Sequence, residues 1–205
     1  MGVPVFGELG IGNVYHVIKS DEAFYGDFIK HRQTTYYDSS VSIYSDIQSA
    51  LDATVECRND YVIVYAQDSD YDLTTALTMT KKGVHLICPA GMMASIGATN
   101  AARIDAQGLT TAGELLTISD SSCEFAGLYL KGDTDKSIIA LTASAHTSNI
   151  HHNTVGLKVT SGGATVYGIY GAGETSGVTI YNNFVTIMYP DAATQTIGGG
   201  IYLAN

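Results

Sequence analysis

The sequence predicts an all-β fold of the parallel β-helix kind, a solenoid, and three observations carry that reading. Short apolar strand segments recur at the spacing of one solenoid coil, clusters of Gly, Asp, Ser and Thr separate them, and nothing from residue 60 onward has a helical period. The segments FAGLYL, IHHNTV and IYNNFV begin at residues 125, 150 and 180, so successive starts lie 25 and 30 residues apart. Each follows another short strand: LLTIS at 115–119, SIIALT at 137–142 and YGIYG at 167–171. A β-sandwich would alternate apolar and polar residues along each strand, and VIVY, LLTI and SIIAL are too continuous for that.

Taken in order, residues 1–40 read as an N-terminal arm. A short strand is expected near Val14 to Ile18. A helix is expected near 21–31, where Ala23, Phe24, Phe28 and Ile29 have helical spacing behind the possible caps Ser20 and Asp21. The aromatic side chains Tyr15, Phe24, Tyr25 and Phe28 are the candidate attachment contacts of this arm. Residues 41–205 form the solenoid. It opens with a helix at about 45–55, with Ser45 as cap, Gln48 as its capping-box partner, and Ile47, Ala50, Leu51 and Val55 as the apolar stripe. That helix is expected to cover the open N-terminal end of the core. The run DYVIVYAQ then reads as a buried strand, and ALTMT (76–80) and GVHLIC (83–88) as the next strand pair. An excursion occupies 89–114, and GGIYLAN forms a last strand with no cap after it, where a partner chain or further chain is expected.

Composition narrows the function. Twenty acidic against 10 basic side chains give a formal charge of -10, which argues against nucleic acid as a partner. Charged residues make up 15% of the chain, below the roughly 25% usual in soluble domains. No run approaches the 18 apolar residues of a membrane span, and the N-terminus lacks the basic start and apolar stretch of an export signal. The three cysteines, Cys57, Cys88 and Cys123, read as buried free thiols. No Cys/His spacing suits zinc, so neither a metal nor a cofactor is expected.

The candidate chemical groups each have a plain structural reading. Asp68, Asp70 and Asp72 would share one side of an extended segment and could serve as paired carboxylates or calcium ligands, but they fall at a turn where Asp is common. Asp133 and Asp135 read likewise, and Glu124 reads as an outward surface carboxylate. His151 and His152 are adjacent, so on a strand they would face opposite sides and could not chelate together. The basic residues Arg103 and the lysines of the solenoid are not expected beside an acidic pair. With no Trp among the aromatics, the 14 Tyr read as packing and interface residues.

At the level of motifs, DIQSALDAT, DYVIVYAQ and YDLTTALTMTKKGVHLICPAG resemble the opening of pectate-lyase-like right-handed, single-stranded parallel β-helix proteins. NIHHNTV and TIYNNFV resemble that family's coil repeat, which implies Asn153 and Asn183 as a structural Asn ladder. The N-terminal string GNVYHVIKSDEAFYGDF, with NDYVIVYAQDSDYDLTTALTM, CPAG and GATNAARI, is similar to virion-associated proteins of tailed phages that place a short arm before a β-helix. This resemblance implies a non-enzymatic protein of the virion surface, a capsid decoration or cement protein. It would bind capsid or other virion proteins and assemble as a homo-oligomer, with a trimer the usual arrangement. The competing expectations are a tail-spike-like polysaccharide depolymerase using carboxylates such as Asp68, Asp70 or Glu124, and a non-catalytic adhesin for a host glycan.

Overall fold

The computed structural model describes residues 12–21, 25–28, 30, 42–93, 101–106, 109, 114–133, 137–158, 165–173, 175–188 and 197–204. Within them the chain is mostly β, with three short helices and three parallel sheets. The first sheet holds β1 (Val14–Val17), β2 (Ile43–Tyr44), β3 (Asp60–Val64), β6 (Val84–Ile87), β9 (Glu124–Ala126), β12 (Asn149–His151) and β15 (Thr179–Tyr181). The second holds β4 (Tyr71–Asp72), β7 (Ala102–Asp105), β10 (Leu128–Asp133), β13 (Thr154–Lys158) and β16 (Phe184–Met188). The third holds β5 (Leu77–Met79), β8 (Leu116–Ile118), β11 (Ile139–Leu141), β14 (Val166–Gly171) and β17 (Ile197–Leu203). From β3 onward the chain visits the three sheets in turn, so each strand pairs with those three before and three after it. Each such round is called a circuit below. β1 and β2 extend the first sheet beyond β3, in the order β3-β1-β2.

Register stacks like residues into rows. Val62, Leu86, Phe125, Ile150 and Ile180 line up across the first sheet. Ile104, Leu130, Val155 and Val185 line up across the second, and Leu77, Leu116, Ile139, Ile169 and Ile201 across the third. These rows form the core. Their early members are fully buried, Ile180 and Val185 are half-buried, and Ile201 is exposed. The continuous run in β3 does not mean burial on both faces. Its Asp60, Val62 and Val64 are buried while Tyr61 and Ile63 are half-buried outside. That outer face is covered by aromatic neighbours: Tyr61 stacks on His85, and Tyr65, just past the strand, meets His16 and Phe28.

Left-handed residues turn the chain into the first sheet. Asn59, Gly83, Ser122, Thr147 and Gly177 have φ of 65°, 70°, 58°, 54° and 72°. Counting back from the paired strands puts all five at one register position. At the far corner, Gly127, His152 and Asn182 have φ of 74°, 55° and 52° and are again in register. Gly127 must be glycine for a second reason: a Cβ there would lie 2.2 Å from the Cys88 carbonyl oxygen. The five-residue helix Pro89–Met93 presses on that corner. It begins the excursion expected at 89–114, which also contains β7. The segments FAGLYL, IHHNTV and IYNNFV, read as single strands, each break at this corner into a strand of the first sheet and one of the second.

The helix expected at 45–55 spans Ile47–Ala53 and buries Ile47, Ala50 and Leu51. Its cap is Asp46 rather than Ser45, because the Asp46 carboxylate accepts the N–H of Ser49. Gln48, expected to reach back to the cap, reaches outward instead. Its amide accepts the N–H and donates to the carbonyl of Thr78, on β5, the outer strand of the third sheet. Lys81 donates to the carbonyls of Leu51, Asp52 and Thr54 at the other end of the helix. Cys88 and Cys123 are buried, and burial pushes the Cys123 thiol up to about 11. Cys57, by contrast, is exposed at φ 60°, in the polar turn after the helix.

One buried carboxylate ties β1, the helix and β3 together. Asp60, with 0% exposure, accepts from the Asn13 and Val55 N–H groups and from Arg58 Nε and Nη2 at 2.7–2.8 Å. Arg58 also donates to the Tyr15 hydroxyl, which donates to the carbonyl of Ala53. Burial alone would raise the Asp60 pKa, but the Arg58 bonds and the two N–H groups outweigh it and hold the carboxyl below its ordinary range. Replacing Asp60 by Ala strands both N–H groups and removes the ion pair of the partly exposed Arg58. Urea unfolding of Asp60→Ala is expected to show a loss of about 3 kcal/mol.

Candidate functional site

Among the described residues, the outer face of the first sheet carries a dense set of titratable side chains. On a strand whose alternate residues enter the core, Tyr61, His85 and Glu124 must point outward, and register puts them side by side on β3, β6 and β9. Glu124 accepts from both neighbouring circuits: Oε2 lies 2.7 Å from His85 Nδ1 and Oε1 lies 2.8 Å from His151 Nε2. The line continues at both ends. His85 Nε2 meets Asn59 Oδ1 at 2.6 Å, His151 Nδ1 meets His152 Nδ1 at 2.8 Å, and His152 Nε2 meets Asn182 Nδ2 at 3.2 Å. Tyr61 stacks on His85 (4.3 Å between centroids) and Tyr181 on His151 (4.8 Å). Glu124 is thus no solvated surface charge; its side chain is 23% exposed. The His85 bond holds its carboxyl below the ordinary range; burial opposes this and His151 assists.

His151 and His152 share a side because the strand stops between them. β12 ends at His151, and the left-handed backbone of His152 turns its ring back toward its neighbour. The alternation rule therefore fails at the corner.

The outer face of the second sheet carries an ion-pair network. Asp70 binds Arg103 Nε at 2.5 Å and Lys131 Nζ at 2.7 Å, and Lys131 also binds Asp105 at 2.9 Å. Lys19 reaches the Asp70 carbonyl from the N-terminal segment. Burial would raise the Asp70 pKa, and the bonds from Lys131 and Arg103 overcome it and lower it. Arg103 and Lys131 do sit on strands beside an acidic pair, against the sequence reading. That pair, Asp70 and Asp105, is 35 residues apart in the chain and meets only through parallel stacking. Asp68 and Asp72 are exposed; the side chain of Asp133 and the whole of Asp135 lie outside the described residues.

At the corner between these two sheets, Asn153 and Asn183 occupy equivalent places one circuit apart. Asn153 is 1% exposed; its Oδ1 accepts the Leu128 N–H, and its Nδ2 donates to the Phe125 carbonyl and to Asn183 Oδ1. Asn183 Oδ1 also accepts the Asn153 N–H, and its Nδ2 donates to the Ile150 carbonyl. Of the four aromatic residues assigned to the arm, Tyr15 is buried in the core on β1, Tyr25 is half-buried, and Phe28 packs edge-on against His16 and Tyr65. Phe24 lies outside the described residues.

Chemically, these groups link circuit to circuit. Glu124, Asp70 and Asp105 each hold a cation or imidazole from another strand. Among the described residues no group of three or more His, Cys, Asp or Glu is arranged to hold a metal ion. Comparison with protein families, with curated proteins and with solved structures yields no match.

Two outcomes are expected here. Asn153→Ala leaves the buried Leu128 N–H and Phe125 carbonyl unpaired and should cost about 1–3 kcal/mol in chemical denaturation, more than Asn183→Ala at its half-buried site. Glu124 has a folded-state pKa below its ordinary 4.5, so its stabilisation is present above pH 4.5 and is lost as the pH falls through the folded value. Thermal midpoints of wild type should therefore drop more steeply below pH 4.5 than those of Glu124→Gln.

Proposed function

We propose that this chain is a right-handed parallel β-helix that decorates the virion surface of a tailed phage, as a capsid decoration or cement protein acting in a homo-oligomer. The fold reading draws on the three-sheet order, in which each strand pairs with those three places away. In it, the Ile47–Ala53 helix serves as the cap of the early circuits. The phage reading draws on the sequence resemblance described above. An attachment role for residues 1–40 then falls to side chains other than Tyr15, which is buried.

The observation that carries the assembly role is the placement of exposed apolar groups. Among the described residues, every large hydrophobic side chain that is exposed, apart from Val55, lies on β15, β16 or β17: Tyr181, Phe184, Ile201, Tyr202 and Leu203. Among the described residues, β15, β16 and β17 are the last strand of each of the three sheets. Such a concentration is the mark of a contact surface. Of the carboxylates expected for a depolymerase, Glu124 and Asp70 are held by neighbouring strands, while Asp68 is exposed and has no acidic partner placed beside it by the described strands.

Sedimentation of the full-length protein, with rebinding to particles stripped of it, tests the proposal. Wild type should form a defined oligomer that rebinds the shell and protects it from heat. Phe184→Asp with Ile201→Asp should be monomeric and fail to rebind. A wild-type protein that ignores particles but degrades a host polysaccharide would overturn the proposal.

A further inference from the structure

The contact between His151 and His152 is unusual in a way that the strand-to-strand role of Glu124 does not require. Two imidazole Nδ1 atoms lie 2.8 Å apart, which is a hydrogen bond only if one of them carries a hydrogen and the other offers its lone pair. The outer nitrogens settle which. His151 Nε2 faces a carboxylate oxygen of Glu124, so it carries hydrogen. His152 Nε2 faces the amide nitrogen of Asn182, which has only hydrogens to give, so it offers its lone pair. A neutral His152 then carries its hydrogen on Nδ1 and donates it to Nδ1 of His151. Both rings are uncharged in this arrangement, and one proton lies between them.

We propose that this pair is an acid-opened clasp: it holds while a single proton lies between the two Nδ1 atoms and releases when both rings become imidazolium. One extra proton can be accommodated, with the Asn182 amide turned to present its oxygen. A second cannot, because two N–H groups would then point at each other across 2.8 Å, between two cations with ring centroids 5.1 Å apart. The groups facing the pair do not relieve this. Glu124 on β9 holds only the far nitrogen of His151, and its other oxygen is taken by His85 on β6. The far nitrogen of His85 meets Asn59 Oδ1, so neither group of that neighbouring circuit reaches the two Nδ1 atoms. Tyr181 on β15 stacks on His151 and sits edge-on to His152, and Asn182 is uncharged.

Release has a defined reach. His152 occupies the left-handed corner between the first and second sheets, with Gly127 and Asn182 at the same place in the adjoining circuits. Opening the clasp frees that corner and the ring of Tyr181, one of the exposed apolar groups of the outermost strands. The inference is independent of any virion role.

The test compares the full-length protein with His152→Asn, which installs the residue already found one circuit on and tolerant of left-handed backbone. Thermal midpoints are recorded from pH 7.5 to pH 5, the range over which imidazoles ordinarily charge. Wild type should lose at least about 3 °C across it, and the variant should lose clearly less. Imidazole 15N spectra of wild type, which need no variant, should show the two rings taking up protons in two separated steps, with the coupling between the Nδ1 atoms vanishing at the second. Parallel thermal profiles overturn the proposal. So do rings that charge together in one step, or a coupling that survives when both are charged.

Discussion

The structure depends on a repeated piece of backbone geometry: one left-handed residue, at one register position, before five successive strands of the first sheet. Only Gly83 and Gly177 meet that demand without steric cost. Asn59, Ser122 and Thr147 do not, and for β-branched Thr147 the conformation is among the least favourable available. The corners hold because they bond to one another. Gly83 N–H donates to the carbonyl of Ser121, Ser122 N–H to that of His146, and Thr147 N–H to that of Ser176, each acceptor lying just before the next corner. Ser122 and Thr147 add a hydroxyl contact at 3.0 Å. The turns thus form a hydrogen-bonded ladder of their own, beside those of the sheets.

Once the corners are aligned, everything else is arranged along the same direction. Core side chains stack in rows because parallel register places residue over residue. The polar groups follow the same rule, as the Asp70 ion pairs, the Glu124 bonds and the Asn153–Asn183 contact all run between circuits. At the early edge of the third sheet, where no described strand lies beyond β5, and beside β3, side chains add to the stacking. Gln48 meets the open edge of β5 through Thr78, and Asp60 gathers the N–H groups of Asn13 and Val55.

Much of this was legible in the sequence, and what was not has a common cause. The strand pairs were visible because their apolar segments recur at 25 and 30 residues, and the Asn153–Asn183 equivalence could be read from the aligned NIHHNTV and TIYNNFV segments. The corners were hidden because Ser122, Thr147 and His152, not glycine, hold left-handed backbone, so no composition signal marks them. That is why His151 and His152 were expected on opposite sides. β7 was hidden inside the 89–114 excursion, since four strand residues in a 26-residue insertion leave no period to detect. The pairing of Asp70 with Arg103 and Lys131 depends on contacts between residues 33 and 61 positions apart, which local pattern does not reveal. Asp46 could have been chosen over Ser45 as the helix cap; both are good caps, and one residue of register decided it.

The core rows run from full burial at Val62 and Leu77 to exposure at Ile201, and this grading sets how the molecule comes apart. The strands of each circuit pair only with those of its neighbours, and few side chains such as Asp70 and Lys131 reach further, so the cost of opening one is set mostly locally. The circuit ending in β17 has the least buried side chains, while the one beginning at β3 is anchored by a fully desolvated carboxylate and a helix. Among the described residues, opening therefore costs least where the core rows are most exposed and most beside Asp60. Amide exchange should be graded along the stack rather than uniform, with the slowest protons in the strands nearest Asp60.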